Sequence, residues 1–143
     1  MATTQISVFL ENKKGRLAEV TKLLSDAGIN MRALSLGDTA DFGVLRIIVN
    51  DPAACLRVLK ERRFIAQATD VIAVEVDDRP GGLYRILEAL DAKDINIEYM
   101  YACLERKVDN AIVVLKIDTY DEAVKVLREN GFSVLSEDFV RNL

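Results

Sequence analysis

Small and polar residues recur at equivalent places in the two halves of the chain, and their chemistry suits a charged small molecule. Gly15 and Gly81 each stand just before a helical pattern, and Asn30 and Asn96 each open a strand pattern. A helix N-terminus presents unpaired N–H groups and a partial positive charge, so it suits a carboxylate. Glycine allows close approach to the backbone, and an asparagine amide both donates and accepts hydrogen bonds. These positions are therefore candidates for binding a small ligand that carries a carboxylate.

An internal repeat explains why these residues occur twice. Shifting the chain by 66 residues places Gly15 on Gly81 and superposes the apolar positions of the strand and helix around them. Past the second strand the shift grows to 68, which a change in hairpin length explains. The repeat covers nearly the whole chain. We therefore expect two copies of one unit, residues 1–69 and 70–143, without a flexible linker between them.

Each copy has the pattern strand, helix, strand, strand, helix, strand. In the first copy the strands are ISVFL, INMRALSL, FGVLRIIVN and FIAQAT, with a turn at 37–41, GDTAD. In the second copy we expect strands at 71–76, 95–104, 110–117 and 132–136 and a second helix at 120–130. Helices on one face of an antiparallel sheet predict the α+β class, with two tandem ferredoxin-like βαββαβ units. The opposite face of each sheet stays uncovered unless another unit covers it.

The composition argues against several classes of enzyme. The chain has 143 residues, a net charge of −4 and no histidine. Histidine is the commonest general base and metal ligand, so its absence removes the simplest routes to catalysis and metal binding. The sequence shows no nucleophile with an adjacent base, no metal-ligand spacing and no phosphate loop of the GxxxxGK type. We expect no enzymatic activity, no catalytic residue, no metal and no cofactor.

Charge and apolar patterning also bear on partners and compartment. The basic stripe and the RNP aromatic pattern of RNA-binding modules are both missing from the sequence. No apolar run has the length of a membrane span, and the N-terminus does not have the pattern of a signal peptide. The two cysteines, Cys55 and Cys103, are too few for a disulfide scaffold and fit reduced packing positions. We expect a cytoplasmic protein that binds neither nucleic acid nor membrane.

The residues at the helix entrances resemble those of the ACT domain, a family of small ligand-sensing modules attached to enzymes of amino-acid metabolism. The resemblance rests on a strand that ends in ENKKG or DDRPG, a leucine two residues after that glycine, and GIN or DIN before the second strand. The stretches SLGDTADFGVLRIIV and INIEYMYA are similar, more narrowly, to stand-alone proteins that carry two ACT domains and no catalytic domain.

The resemblance implies a non-catalytic regulatory protein that binds a free amino acid. The ligand is expected where the first-helix N-terminus of one ACT unit meets the second strand of its partner. The implied protein partners are further copies of the chain in a homo-oligomer, such as a dimer, or an enzyme of amino-acid metabolism. The candidate ligand-binding residues are Asn12, Lys14, Gly15, Arg16, Leu17, Asn30, Asp78, Gly81, Gly82, Leu83, Asn96 and Tyr99.

The two candidate loops differ in charge. Lys13, Lys14 and Arg16 surround the first helix entrance and favour an anion, whereas Asp78 carries a carboxylate that would repel one. Lys14 also stands where the ACT motif usually has proline, which Pro80 keeps, and Asp78 stands where the sensing loop more often has asparagine. We therefore expect the first-copy loop to hold the ligand carboxylate.

Several of these residues also have a simpler explanation. Gly15 and Gly81 could serve turn geometry alone, and asparagine after a helix end often adopts a left-handed backbone. Tyr99 and Tyr101 share a strand face, where they either line the inter-domain cleft or pack at an interface; we favour the cleft for Tyr99. The nearest alternative function is a regulatory subunit resembling the small subunit of acetolactate synthase, which would act in a stable hetero-complex.

Overall fold

Strands and helices follow one another in the order that the repeat predicts, with two strands fewer and one helix more among the described residues. The computed structural model describes residues 2–38, 42–104 and 110–143, so part of the turn predicted at 37–41 lies outside the described residues. The elements are β1 (Thr3–Glu11), α1 (Arg16–Asp26), β2 (Met31–Asp38), β3 (Phe42–Val49), α2 (Pro52–Glu61), β4 (Ile65–Asp77), α3 (Gly82–Asp91), β5 (Tyr99–Ala102), β6 (Asn110–Lys116), α4 (Tyr120–Glu129) and α5 (Glu137–Arg141). Within the described ranges, no helix combines the length and apolar character that crossing a bilayer requires.

One long strand, β4, belongs to both units. The six strands form an antiparallel sheet in the order β2-β3-β1-β4-β6-β5. The first part of β4 pairs with β1, from Ile65 to Val71, and the second part pairs with β6, from Ile72 to Asp77. The sequence predicted two separate strands here, but the structure has one strand of 13 residues. The expected boundary at residues 69 and 70 therefore falls inside a strand.

Each unit has a core between its helices and one face of its part of the sheet. In the first unit, Val20 and Leu24 of α1 and Leu59 of α2 are buried against the strands. The second unit repeats this arrangement, with Ile86 of α3 and Leu127 of α4 in the equivalent core. Their spacing of three and four residues produces the apolar stripe that predicts these helices. Helices α1 and α2 thus lie on one face of the first unit's strands, and α3 and α4 lie on one face of the second unit's strands, as expected. Val140 of the additional helix α5 belongs to the core on the opposite face.

The opposite faces of the two half-sheets form a third core between the units. Ala33 of β2 and Cys103, just after β5, form an antiparallel bridge, and the Leu104 amide donates to the Arg32 carbonyl at 2.9 Å. This contact joins the two outer strands, so the sheet closes on itself and each unit covers the other. The buried members of the third core are Ala33, Ile48, Val71, Ala73, Tyr101, Ile112, Val114 and Val140.

A polar network lies beside this third core. Gln5 of β1 is fully buried, and its Nε2 donates to the Tyr99 hydroxyl at 2.8 Å and to Ser7 Oγ at 3.0 Å. The Tyr101 hydroxyl donates to Gln5 Oε1 at 2.7 Å. Burial raises the pKa of Tyr101, as does the neighbouring Tyr99, so this hydroxyl stays protonated and remains a donor. The side chain of Gln5 therefore joins β1 of the first unit to β5 of the second.

The last predicted strand, 132–136, is wrong in extent. Only Val134 forms a bridge, to Val74 of β4, with hydrogen bonds from Glu75 N to Ser133 O and from Leu135 N to Ala73 O. The chain then turns into α5, where the Ser136 hydroxyl caps the helix by accepting from Phe139 N at 3.1 Å. Serine is a strong N-cap residue, so it ends the extended segment. A helix of five residues is too short for an apolar periodicity to reveal it.

Replacing Tyr101 with phenylalanine tests the polar network. The change leaves Gln5 Oε1 buried without its donor, which should lower the free energy of unfolding by about 1–3 kcal/mol. Tyr84→Phe is the matched control because Tyr84 is 64% exposed, and it should change stability by less than about 0.5 kcal/mol. Urea unfolding monitored by circular dichroism measures both values. Equal stability of the two variants would contradict the role assigned to this network.

Candidate functional site

The first candidate loop leaves the beginning of α1 without a side-chain cap. Gly15 precedes the helix with φ of 90°, a left-handed conformation that other residues rarely adopt. No side chain accepts from the first turn, and the amides of Leu17 and Ala18 find no acceptor within the described residues. By contrast, Asp51 caps α2 by accepting from Ala54 N at 3.2 Å. The start of α1 therefore has N–H groups available for an anion.

The second candidate loop repeats this backbone at α3. Gly81 has φ of 87°, and α3 also begins without a side-chain cap. A Cβ on Gly82 would collide with the carbonyl oxygen of Asp77, so the close approach of helix and strand explains that glycine. The left-handed turn alone thus requires glycine at positions 15 and 81, which agrees with the explanation that these residues serve turn geometry. Ligand contact at these loops remains a prediction.

The structural explanation offered for the two asparagines is wrong. The residues with positive φ after α1 and α3 are Gly28 and Asp94, at 73° and 55°, and neither Asn30 nor Asn96 is among the positive-φ residues of the described chain. Asn30 is instead held through its backbone by Asn50, whose Oδ1 accepts from Asn30 N at 2.9 Å. The side chains of both predicted asparagines are exposed.

Within one unit, the helix entrance and the asparagine lie at opposite ends of the sheet. Glu11, at the end of β1, pairs with Phe42 at the start of β3, and Met31, at the start of β2, pairs with Val49 at the end of β3. The length of β3 separates these two places by about 20 Å. Gly15 and Asn30 therefore cannot contact the same small ligand.

Across the two units, the corresponding residues share an end. The antiparallel bridge between Ala33 and Cys103 directs the start of β5 toward the end of β2 that is next to the Gly15 loop. The Arg46 guanidinium carbon, from β3 beside Ser35, lies 3.9 Å from the centre of the Tyr99 ring and supports this register. The candidate residues therefore divide between two ends of the molecule. The first, which we call the Gly15 end, has Asn12, Lys14, Gly15, Arg16 and Leu17 of the first unit with Asn96 and Tyr99 of the second. The other, the Gly81 end, has Asp78, Gly81, Gly82 and Leu83 of the second unit with Asn30 of the first.

Internal ion pairs reduce the positive charge expected at the Gly15 end. Lys13 Nζ lies 2.7 Å from Glu11 Oε2, and its hydrogen bond lowers the pKa of the Glu11 carboxyl. Arg16 pairs with Glu19 at 2.9 Å, and its guanidinium carbon lies 5.1 Å from the centre of the Phe64 ring. Lys14 is exposed and forms no ion pair with the described residues. Of the three cations, Lys14 is the one that can turn fully toward an anion.

The Gly81 end is more acidic and includes a small cavity. Asp77 Oδ2 forms ion pairs with Arg79 Nη2 at 3.2 Å and with Arg85 Nη1 at 3.4 Å. Asp78 is exposed beside it. A cavity of about 210 Å³ next to Gly82 is lined by Glu75, Asp77, Gly82, Arg85, Ile86, Asn110, Gly131, Phe132 and Ser133. Carboxylates and an amide on one wall favour a cationic group over an anion. The difference in charge between the two loops, inferred from the sequence, persists in the structure.

Tyr99 lies at the contact between the units, in a setting that the sequence did not reveal. It is half-buried, its hydroxyl accepts from Gln5, and Arg46 stacks on its ring. Neither Gln5 nor Arg46 was among the candidates. Gln5 follows the alternation of polar and apolar residues in the strand TTQISVFL, which predicts a solvated polar face. Neither its burial nor its partner 94 residues away could be read from that pattern.

The described residues show little of the chemistry that an active site needs. No group of three or more metal-ligating side chains is present in the described ranges. Both cysteines are free thiols, and burial raises the pKa of Cys55 to about 12 and that of Cys103 to about 11. Because a nucleophilic cysteine needs a thiolate, these two stay protonated and unreactive at neutral pH.

Proteins of known structure share this fold. The structure of protein BT0572 from Bacteroides thetaiotaomicron is 38% identical, with a TM-score of 0.93, and the match covers 100% of this chain and 98% of that chain. The ligand-free regulatory subunit of aspartate kinase from Thermus thermophilus is 16% identical, with a TM-score of 0.65 and coverage of 92% and 94%. The corresponding subunit from Thermus flavus is 19% identical, with a TM-score of 0.58 and coverage of 91% and 93%.

At these low identities, the two kinase subunits show a shared fold alone. A comparison with curated protein sequences found no match. A family model described as an ACT domain pair, however, matches residues 1–143, the full length over which the sequence repeat and the two βαββαβ units were found. The chain therefore belongs to the family of ACT domain pairs.

Proposed function

We propose that the protein is a non-catalytic regulator that binds a free amino acid between its two ACT units, at the Gly15 end. The observation that carries the proposal is the cross-unit register. It places an uncapped helix N-terminus of the first unit at the same end as Asn96 and Tyr99 of the second. A ligand there would contact both units at once, so its binding would stabilise the contact between them.

The polar groups at the Gly15 end suit the two charges of an amino acid. The unpaired amides of Leu17 and Ala18, with Lys14 beside them, would receive the carboxylate. Asn12 and Asn96 supply amide oxygens that accept from the ammonium group. The Gly81 end has the same backbone but the opposite charge, because Asp77 and Asp78 flank it. We therefore assign the ligand carboxylate to the Gly15 end.

Regulation also requires a surface that transmits the bound state to another protein. Phe9, Phe42 and Ile65 are 37%, 54% and 70% exposed and lie on one face of the sheet, beyond the area that the second unit covers. Phe9 pairs with Ile65 in the register of β1 and β4. Among the described residues, the outer edge of β4 has no partner strand before Ile72. Such a surface favours association with another protein.

The identity of that protein distinguishes two versions of the proposal. A second copy of the chain would make a homodimer that senses the amino acid itself. An amino-acid biosynthetic enzyme would instead make this chain a regulatory subunit, the role that the two similar Thermus proteins have toward aspartate kinase. The exposed apolar surface lies on the chain itself, so we take the homodimer as the first version to test.

A thermal-unfolding panel of the twenty amino acids tests ligand binding. At 100 times its dissociation constant a ligand adds about 2.7 kcal/mol of stability. For a domain of this size that free energy raises the Tm by several degrees. We expect one or two amino acids to produce this shift, and the Asn12→Ala variant to lose it. No shift with any of the twenty would contradict amino-acid binding by the isolated protein.

A double-mutant cycle on ligand affinity tests the cross-unit geometry. Asn12→Ala and Asn96→Ala should be non-additive, with a coupling energy of about 0.5–3 kcal/mol, because both residues contact one ligand. Asn12→Ala with Asn30→Ala is the matched control, since these residues belong to the same unit but lie at opposite ends. That pair should be additive within about 0.5 kcal/mol, measured by isothermal titration calorimetry. Coupling in the control pair instead would contradict the assigned end.

Sedimentation velocity tests the association surface. Ile65→Lys places a charge on the exposed apolar face, so it should convert a dimeric protein to a monomer. Lys125→Glu, on the exposed face of α4, is a surface control that should leave the sedimentation coefficient unchanged. A wild-type protein that is monomeric at all concentrations, or an Ile65→Lys variant that stays dimeric, would contradict the homodimer version.

A further inference from the structure

A groove on the helix-bearing face of the first unit is distinct from both helix entrances. It has a volume of about 310 Å³, which is at the small end of the range for ligand pockets. Its floor is mainly apolar: Ile6 of β1 and Ala68 of β4 are paired neighbours in the sheet, and both line the groove together with Thr4. Pro52 and Leu56 of α2 form one wall. Branched aliphatic groups suit such a floor because burying them requires no polar partner.

The opposite wall comes from the second unit. Glu137 and Arg141 of α5 line the groove, so its two walls belong to different ACT units. Arg141 is held in place from both directions: its Nε donates to the Asn50 carbonyl at 3.0 Å, and its own carbonyl accepts from Arg32 Nε at 3.1 Å. Within the described residues, its terminal guanidinium nitrogens form no hydrogen bond or ion pair. A fixed guanidinium with free donors is a carboxylate receptor.

Two carboxylates complete the rim. Asp51 uses Oδ1 to cap α2, which leaves its other oxygen available, and Glu137 is half-buried on the facing wall. Neither forms an ion pair with Arg141. The groove therefore presents a cation and two anions around an apolar floor. A ligand that matches it carries a carboxylate, an ammonium group and a compact aliphatic body.

We propose that this groove is a second ligand site, specific for an α-amino acid with a branched aliphatic side chain. The carboxylate pairs with Arg141, the ammonium group pairs with Asp51 and Glu137, and the side chain packs on Ile6, Leu56 and Ala68. This site holds whether or not the Gly15 end binds a ligand, because the two share no residue.

Ligand binding in the groove would also affect the structure at the Gly81 end. Asn50 links the two places, since its carbonyl accepts from Arg141 and its Oδ1 accepts from the Asn30 amide at 2.9 Å. A ligand on Arg141 would thus hold α5 against β3 and the entrance of β2. Hydrogen exchange at the Val140 amide, which donates to Ser136 O within α5, reports this docking.

Calorimetric titration with leucine, valine and isoleucine tests the site. Three comparison ligands separate its parts: alanine lacks the branched body, 4-methylpentanoate lacks the ammonium group, and isoamylamine lacks the carboxylate. We expect at least one branched amino acid to bind, at least tenfold more tightly than each comparison ligand. It should also slow exchange of the Val140 amide. Equal affinity for 4-methylpentanoate would overturn the assigned roles of Asp51 and Glu137.

Variants locate the binding. Ala68→Leu fills the floor, and Arg141→Gln removes the cation; each should weaken binding at least tenfold. Gln67→Leu adds the same side chain on the opposite face of β4 and should leave the affinity unchanged. Binding that persists in Ala68→Leu, or no binding of any branched amino acid, would overturn the proposal. Binding lost in Asn12→Ala but retained in Ala68→Leu would overturn the groove site while supporting the Gly15 end.

Discussion

The continuous strand β4 is the constraint on which the rest of the structure depends. Its first part is the fourth strand of one ACT unit and its second part is the first strand of the next, so a single strand sets the relative position of the two sheets. A linker would have left that position free. Because β4 has no break, the outer strands β2 and β5 are brought together on the far side, where Ala33 and Cys103 form their bridge.

Closure of the sheet determines both the third core and the candidate site. Once β2 meets β5 in antiparallel orientation, each helix entrance falls at the same end as the strand entrance of the other unit. The hydrogen bonds of buried Gln5 with Tyr99 and Tyr101 strengthen this orientation, since breaking them would leave the buried amide of Gln5 unpaired. The two ends are related by the repeat but not by charge. Lys14 at one and Asp78 at the other give them different preferences.

Much of the fold follows from local patterns in the sequence. The apolar stripes of α1 and α3 and the β-branched runs of the strands act over a few residues, so a single sequence contains them. The internal repeat then predicted that the chain has two units and gave the order of the elements in each. The sequence could not predict that two strands fuse into β4. A strand is defined by its pairing partners, and the partners of β4, β1 and β6, lie far away in the chain. The short helix α5 was missed because one capping serine and five residues carry no periodicity.

The sequence could propose which residues belong to the candidate site, but it could not predict which of them lie together. Gly15 and Gly81 were predicted either as ligand contacts or as turn glycines; their positive φ supports the turn role, and ligand contact stays a prediction. The pairing of each loop with the other unit depends on the β2–β5 bridge, which no local pattern encodes. Arg46 and Arg141 were missed for the same reason, since an arginine in a strand or a short helix has no signature until its neighbours are known.

The central claim is that one amino acid contacts both units at the Gly15 end. Backbone amide chemical shifts, recorded by NMR during titration with a stabilising amino acid, test it most directly. We expect saturable shifts at Leu17 and Ala18 of the first unit together with Asn96 and Tyr99 of the second, all with one dissociation constant. Shifts confined to a single unit, or shifts that leave Leu17 and Ala18 unchanged, would contradict it.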